Sequence, residues 1–157
     1  MQKIVIITLI LICFQCKAYS QEPDSIITKK NTLFIEMGGK SIWYSFNYDR
    51  YFFLIDKFKI SASLGYSFLN AKNQAIIPQL ALLYGKKNWN TELGFGYTIQ
   101  KYNNPKSGFP SYSLSLGMRY QPMKGGLFFR AAITPLFGLN LPISVLPWAG
   151  LSLGYTF

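Results

Sequence analysis

Large apolar side chains alternate with small or polar ones along the chain from Thr32 onward. In the last segment, Leu151, Leu153, Tyr155 and Phe157 occupy one set of alternate positions, while glycine, serine and threonine occupy the other. Successive side chains of a β-strand point to opposite faces, so a period of two predicts strands rather than helices.

Eight segments carry this pattern, and most are about nine to twelve residues long, close to the ~9–11 residues that a tilted strand needs to cross a membrane. They are approximately 32–38, 42–53, 58–68, 75–84, 89–99, 111–121, 127–135 and 147–157. The polar positions hold mainly Gly, Ser, Thr and Ala, which suit the narrow interior of a small barrel, whereas the bulky positions suit lipid. The sequence therefore predicts one all-β domain, residues 32–157, folded as an eight-stranded antiparallel up-and-down transmembrane β-barrel.

The connections between these segments differ at the two predicted ends of the barrel. Those after the second, fourth and sixth segments are short and charged, and those on the other side are longer, as in barrels with short periplasmic turns and long outer loops. The first connection, Gly39-Lys40-Ser41, is an exception because it is short on the long-loop side. Outward-facing aromatic residues gather at both segment ends, which predicts two girdles at the headgroup level.

The N-terminus has the organisation of a secretory signal. Lys3 precedes an apolar run that ends near Phe14, which is too short to span a bilayer, since that takes about 20 residues. The small residues Ala18 and Ser20 then stand where a signal peptidase requires them. We expect residues 1–20 to be a cleaved signal peptide.

The cysteines and the segment after the signal complete the predicted organisation. Both cysteines, Cys13 and Cys16, lie in the predicted signal, so the mature chain would have no thiol. Lipoprotein processing at Cys16 is an alternative, although Gln15 is not the small residue expected before a lipidated cysteine. The polar residues 21–31 are predicted to be a flexible periplasmic lead-in.

Composition excludes most familiar chemistry. The 157 residues include no histidine, so the Ser–His arrangements of membrane acyl hydrolases cannot be built. We therefore expect no catalytic residues, no metal site and no cofactor, and a lipid-modifying enzyme without histidine is only a distant alternative.

The net charge of +10 comes from sixteen basic and six acidic residues. The basic residues are dispersed rather than gathered in one patch, so a nucleic-acid partner is not expected. Lysines in the outer loops are expected to meet the phosphates of outer-membrane lipids, including lipopolysaccharide.

The chain resembles the small eight-stranded outer-membrane barrels of the OmpA/OmpX-like class. Its last segment, with Leu151, Leu153, Tyr155 and Phe157 at alternate positions, is similar to the signal that such proteins present to the barrel-assembly machinery. Several phrases also resemble a group of small outer-membrane barrels of Gram-negative bacteria that have no assigned activity. These phrases are Glu36-Met37-Gly38-Gly39-Lys40, Tyr44-Ser45-Phe46-Asn47-Tyr48-Asp49-Arg50, Glu92-Leu93-Gly94-Phe95-Gly96, Arg119-Tyr120-Gln121-Pro122 and Pro147-Trp148-Ala149-Gly150-Leu151. The resemblance implies the fold and an outer-membrane location, and it implies no activity.

Charged side chains on the inward parity are the candidate site. They are Glu36, Asp49, Lys59, Glu92, Arg119 and Arg130, with Asn47, Gln79 and Gln121 between them. The interior of an eight-stranded barrel is just wide enough for side chains to fill, and buried charges need partners, so we predict a structural charge network that plugs the lumen. A narrow gated pore or a proton path is the alternative interpretation.

The outer loops are the candidate contact surfaces. The loop 100–110 carries Tyr102, Asn103, Lys106 and Phe109, and the loop 136–146 is unusually apolar. The sequence thus predicts a non-enzymatic outer-membrane barrel with a structural or loop-mediated binding role, for which an envelope protein is a possible partner. A small ion or solute channel is the main alternative function.

Overall fold

The computed structural model describes residues 29–41, 43–55, 57–70, 73–102, 111–138 and 145–157. The predicted signal peptide, residues 1–20, lies outside these ranges, as does most of the predicted lead-in, residues 21–31. Among the described residues, no helix is long and apolar enough to cross a membrane.

The described chain is almost entirely β-strand. The ten strands are β1 (Asn31–Gly38), β2 (Tyr44–Ile55), β3 (Phe58–Asn70), β4 (Asn73–Tyr84), β5 (Trp89–Tyr102), β6 (Ser111–Tyr120), β7 (Gly126–Ile133), β8 (Leu136–Phe137), β9 (Val145–Leu146) and β10 (Ala149–Thr156). A short 3-10 turn, Gly39–Ser41, joins β1 to β2 and is called the inward turn below.

These strands form one closed antiparallel barrel. The hydrogen-bonded order is β5-β4-β3-β2-β1-β10-β7-β6-β8-β9, and an additional β5–β6 pairing closes the ring. Strand β8 continues the line of β7 after Thr134 and Pro135, and β9 precedes β10 across Pro147 and Trp148, so the barrel has eight strand lines. The predicted eight-stranded antiparallel barrel is confirmed.

The barrel has two chemically different ends. The turn end holds the start of β1, the end of β10 and the short turns that follow β2, β4 and β6. The loop end holds the inward turn and the connections that follow β3, β5 and β8. At the turn end, Asn31 and Phe157 exchange two backbone hydrogen bonds of 3.2 and 2.8 Å, which keep the two ends of the barrel domain together.

The strands are staggered as a small barrel requires. One circuit of paired residues from Thr32 ends at Leu146, which lies closer to the loop end than any residue of β1 that pairs with β10. The intermediate partners are Asp49, Ser63, Gln79, Gly96, Ser113 and Leu136. Such an offset is the shear that tilts strands by about 35–45° and sets a narrow interior.

Alternating burial follows the alternating sequence. On β6, Ser111, Ser113 and Ser115 are buried, whereas Tyr112 and Leu114 between them are exposed. Aromatic side chains on the outer wall pair near both ends: the rings of Trp89 and Tyr120 lie 5.1 Å apart at the turn end, and those of Tyr97 and Tyr112 lie 5.1 Å apart toward the loop end. The outer wall is thus apolar with an aromatic band toward each end, and the interior is polar.

Pro78 lies inside β4 without shifting the register of the strand. A proline has no backbone N–H, so within a strand it is expected to cause a bulge or an early strand end. The strand instead continues to Tyr84, and its register with β5 is the same on both sides of the proline. Only the pairings of Ile77 and Pro78 with β5 are missing, so the ladder is interrupted without being shifted. A bulge does occur in β2, between Tyr51 and Phe53.

Candidate functional site

The centre of the lumen is organised by Glu92 of β5. Its Oε2 lies 2.8 Å from Arg119 Nη2, and its Oε1 lies 2.8 Å from Arg130 Nη2. The Nε of each arginine also donates to this carboxylate at 2.9 Å, and Gln79 and Ser115 donate to it at 3.2 and 3.3 Å. Glu92 is completely buried, so two guanidinium groups and two neutral donors compensate one desolvated carboxylate.

Arg119 extends this centre toward the turn end. Its Nη1 lies 3.2 Å from Asp49 Oδ1, and the same nitrogen donates to Ser61 and Gln121 at 3.3 Å. Its guanidinium carbon also lies 5.4 Å from the ring centre of Phe128, a cation–π distance. Because its polar contacts come from three other strands, Arg119 ties distant parts of the wall together.

Arg130 extends the centre toward the loop end. Its Nη1 lies 3.3 Å from Glu36 Oε1, and the other oxygen of that carboxylate lies 3.3 Å from Lys40 Nζ. Acids and bases therefore alternate along one continuous series, called the ion-pair chain below: Asp49, Arg119, Glu92, Arg130, Glu36 and Lys40. With three negative and three positive groups, the ion-pair chain has no formal net charge.

Lys40 reaches the lumen because the inward turn folds into the barrel mouth. Gly38 and Gly39 both have positive φ, of 71° and 63°, which side chains other than glycine rarely adopt. A Cβ on Gly39 would overlap the carboxylate of Glu36, so glycine is also needed there for space. Thr98 Oγ1 donates to the carbonyl of Lys40 at 3.3 Å, and the whole turn is buried.

Burial and the nearby Arg130 guanidinium lower the pKa of Lys40 to about 8. The ammonium is held against Glu36 at neutral pH, but it is the base of the chain that loses its proton at the lowest pH.

Sequence parity places five members of the ion-pair chain inside the barrel, and all five lie there in the structure. The sixth member, a base, differs from the expected one. Lys59 is buried but makes no ion pair with a carboxylate among the described residues; its Nζ donates to Asn90 and to the carbonyl of Lys87 at the turn end. In the register, Leu83 stands between Lys59 and Glu92, and Leu83 is completely buried. The third base of the charge network is therefore Lys40, and not Lys59 as predicted from the sequence.

Some apolar side chains also lie inside the barrel. Phe34 and Phe128 are buried with ring centres 5.0 Å apart, and Tyr51, Ile77 and Leu136 are buried at other heights. These residues are not among the sites predicted from charge, although Phe34, Tyr51 and Phe128 share the inward parity of Glu36, Asp49 and Arg130. Asn47, Gln79 and Gln121 are buried in the lumen.

The other predicted sites lie on the outside or beyond the described residues. Leu151, Leu153, Tyr155 and Phe157, the proposed assembly signal, are exposed on the outer wall. In the contact loop, Asn103, Lys106 and Phe109 lie outside the described residues, and only the backbone of Tyr102 is described, as the last residue of β5. Within the described ranges, no group of three or more His, Cys, Asp or Glu side chains is arranged to hold a metal ion.

One solved structure supports the fold from outside this chain. The crystal structure of the N-terminal β-barrel domain of Pseudomonas aeruginosa OprF is similar to it with a TM-score of 0.54 and 16% sequence identity, over 82% of this chain and 96% of that one. The two share the fold of a closed eight-stranded antiparallel β-barrel. No family model matches the sequence, and no curated protein matches it significantly. The resemblance inferred from sequence is thereby confirmed at the level of fold.

Proposed function

We propose that this chain is an integral outer-membrane barrel of a Gram-negative bacterium, with its turn end in the periplasm and a plugged lumen. It acts without catalysis, as a structural or loop-presenting protein of the cell envelope. The fold, the apolar outer wall and the two aromatic bands support the location. The ion-pair chain is the observation that supports a plugged lumen.

The ion-pair chain blocks the lumen in two ways. It joins side chains from β1, β2, β5, β6 and β7 with the inward turn, so its contacts span the interior rather than follow one wall. It is also internally neutralised, so a passing ion would have to compete with partners already within 2.8 to 3.3 Å of one another. Separating a buried pair costs several kcal/mol, which makes opening rare.

Liposome swelling tests the plug directly. Purified protein reconstituted into liposomes should give the same swelling rate in small sugars and amino acids as protein-free liposomes. Heat-dependent migration on gels would verify that the barrel is folded and inserted. Swelling that increases with protein content and decreases with solute size would instead assign a channel.

A small channel remains the second candidate because of one observation. Six buried side-chain oxygens of the described residues have no hydrogen-bond partner: Ser41 Oγ, Asp49 Oδ2, Tyr51 Oη, Ser113 Oγ, Thr134 Oγ1 and Ser152 Oγ. Buried polar groups are normally hydrogen-bonded to protein or water, so these atoms favour water inside the lumen. Water alone does not conduct ions past the arginines, and the swelling assay separates the two candidates.

The envelope role predicts a partner at the outer loops. A pull-down of the tagged protein from outer membranes in mild detergent, with mass spectrometry of proteins and lipids, tests it. A stoichiometric envelope protein that is lost when residues 103–109 are replaced by a Gly/Ser linker supports loop-mediated binding. A monomer carrying lipid alone rejects loop-mediated binding and leaves the structural role.

The non-enzymatic assignment is also part of the proposal. Ser61 and Ser115, which would be candidate nucleophiles in a hydrolase, are engaged with Arg119 and Glu92 inside the ion-pair chain. A serine held in this way fills space and orients charge rather than attacking a substrate. Release of fatty acid from phospholipid or lipopolysaccharide by purified protein would contradict the assignment.

A further inference from the structure

The exposed charged side chains that the structure describes at the turn end are all basic. The turn end carries Lys29, Lys30, Arg50, Lys57, Lys86, Lys87 and Lys124, called the cationic ring below. Lys57 is half-buried and the others are exposed. By contrast, all three described carboxylates, Glu36, Asp49 and Glu92, are buried in the ion-pair chain.

The cationic ring surrounds the barrel instead of forming one patch. Its members stand before β1, near the turn end of β2, and in each of the turns β2–β3, β4–β5 and β6–β7. Arg50 is tied to the rim, since its Nη1 donates to Asn31 Oδ1 at 3.3 Å. The sequence places one acid, Asp56, in the first of these turns, outside the described residues. Basic side chains therefore stand beside the start of β1 and in all three turns of this end.

The ring adjoins the aromatic band of the outer wall. Lys57 precedes Phe58, whose ring centre lies 5.0 Å from that of Tyr84. Lys87 precedes Trp89 by two residues, and Trp89 packs on Tyr120 at 5.1 Å. Such aromatic side chains settle at the headgroup level of a membrane, so lysines just beyond them reach the depth of the phosphates.

We propose that the cationic ring binds the phosphates of anionic phospholipid headgroups in the inner leaflet and so fixes the depth of the barrel. The inference rests on the proposed membrane location. A soluble acidic partner would be matched by a patch on one side or on the end face, whereas a ring at headgroup depth matches the lipid that surrounds the barrel. Each lysine near an anionic surface contributes to such attraction, which salt screens.

Tryptophan fluorescence can measure the selectivity for anionic lipid because Trp89 lies at the turn end, whereas Trp43 and Trp148 lie toward the loop end. In a W43F/W148F variant, Trp89 is the one remaining tryptophan and reports on the lipid beside the cationic ring. Its quenching by brominated phosphatidylglycerol and by brominated phosphatidylcholine in vesicles gives a relative lipid binding constant. We expect a preference for phosphatidylglycerol of about twofold or more at low salt, decreasing toward one at high salt.

A matched pair of variants identifies the residues responsible. Replacing Lys86, Lys87 and Lys124 by Gln should remove the preference at Trp89. Replacing Lys72, Lys101 and Lys106 by Gln changes the net charge equally in the predicted outer loops, and it should leave the preference at Trp89 unchanged. A W89F variant, which keeps Trp43 and Trp148, supplies the corresponding measurement at the loop end.

The outcomes separate the inference from the proposed location. Equal quenching by the two lipids, or a preference that survives K86Q/K87Q/K124Q, overturns lipid binding by the ring while leaving the membrane barrel intact. If neither brominated lipid quenches Trp89 in folded protein, the membrane location itself is overturned.

Discussion

Arg119 is one of two buried arginines that each join two carboxylates of the lumen. It is almost completely buried, pairs with Asp49 and Glu92, and stacks near Phe128. Removing one partner of a buried ion pair leaves the other charge without compensation, which costs more than the pair itself contributes. The energetic importance of the site therefore lies in its completeness rather than in any single bond.

Arg119→Ala is predicted to lower the free energy of unfolding by about 3 to 5 kcal/mol, because two buried carboxylates lose a partner. Urea unfolding of the purified barrel, followed by tryptophan fluorescence, measures the change. Arg50→Ala is the control, since Arg50 is exposed and hydrogen-bonded only to Asn31 among the described residues; it should cost less than about 1 kcal/mol. An unchanged midpoint for Arg119→Ala would contradict the structural role of the chain.

Parity alone was sufficient to predict which residues of the strands face inward. Glu36 lies between Ile35 and Met37, Asp49 follows Tyr48 and Glu92 precedes Leu93, so a period of two fixes the side of the wall for all three acids. Lys40 lies outside any strand, and its direction depends on the φ angles of Gly38 and Gly39, which periodicity does not encode. The pairing of each base with its acid also required the register between strands, which the sequence does not specify.

The inward turn is buried at the loop end, and its lysine makes it sensitive to pH. The pKa of Lys40 is about 10.5 in the unfolded chain and about 8 in the folded chain. Between these values the unfolded state binds more protons, so stability contributed by this group rises with pH.

Comparison with Lys40→Met isolates this effect. Relative to the variant, the wild-type barrel should gain up to about 3 kcal/mol of unfolding free energy between pH 8 and 10.5. Urea unfolding of both proteins at a series of pH values measures the difference, in which other titrating groups cancel. A difference that stays constant over this range would show that Lys40 is not buried as a charge.

The strands themselves are predicted to have a depth-dependent outer face. Leu116 lies midway along β6 between Tyr112 and Tyr120 and is 58% exposed, whereas Leu127 is 69% exposed at the turn end of β7. Leu116→Arg should cost about 2 to 4 kcal/mol in lipid, and Leu127→Arg about 0 to 1 kcal/mol. Unfolding in phospholipid vesicles measures both, and equal costs would argue against a membrane-spanning wall.

The positions of the strands could be predicted from the sequence, but the breaks within the strand lines could not. The predicted segment 127–135 is interrupted at Thr134 and Pro135, and the end of the barrel splits into β9 and β10 around Pro147 and Trp148. Both breaks contain a proline, which cannot donate to the ladder. Pro78 shows why the outcome was not predictable, because the same residue leaves β4 continuous.

At the scale of the whole molecule, assembly is a separate demand from stability. Phe157 is exposed on the outer wall, and its backbone rather than its ring closes the barrel onto Asn31. Phe157→Ala should therefore reduce assembled barrel in cells, because the proposed signal to the assembly machinery is weakened. Refolding of the purified variant in detergent should match wild type.

Heat-dependent gel migration of outer-membrane fractions and of refolded protein measures both effects. Leu127→Ala, at the same end and equally outward, is the control and should assemble normally. Normal assembly of Phe157→Ala would reject the assignment of Phe157 to the signal.

The central claim about the whole molecule is that its lumen is closed. The proposed plug rests on an alternating series of three acids and three bases, joined to a buried turn at one end of a barrel whose interior is just wide enough for side chains to fill. The same proposal assigns the contacts with the envelope to the cationic ring and the outer loops. The choice between a plugged barrel and a channel depends on whether the lumen is closed.

Single-channel recording in planar bilayers is the most direct measurement of that closure. Folded, detergent-purified protein, with insertion verified by its heat-dependent migration, should give no steady conductance above the bare bilayer over a range of voltages. Steady and reproducible conductance steps that scale with the number of inserted barrels would contradict the plug and assign the protein to the channels.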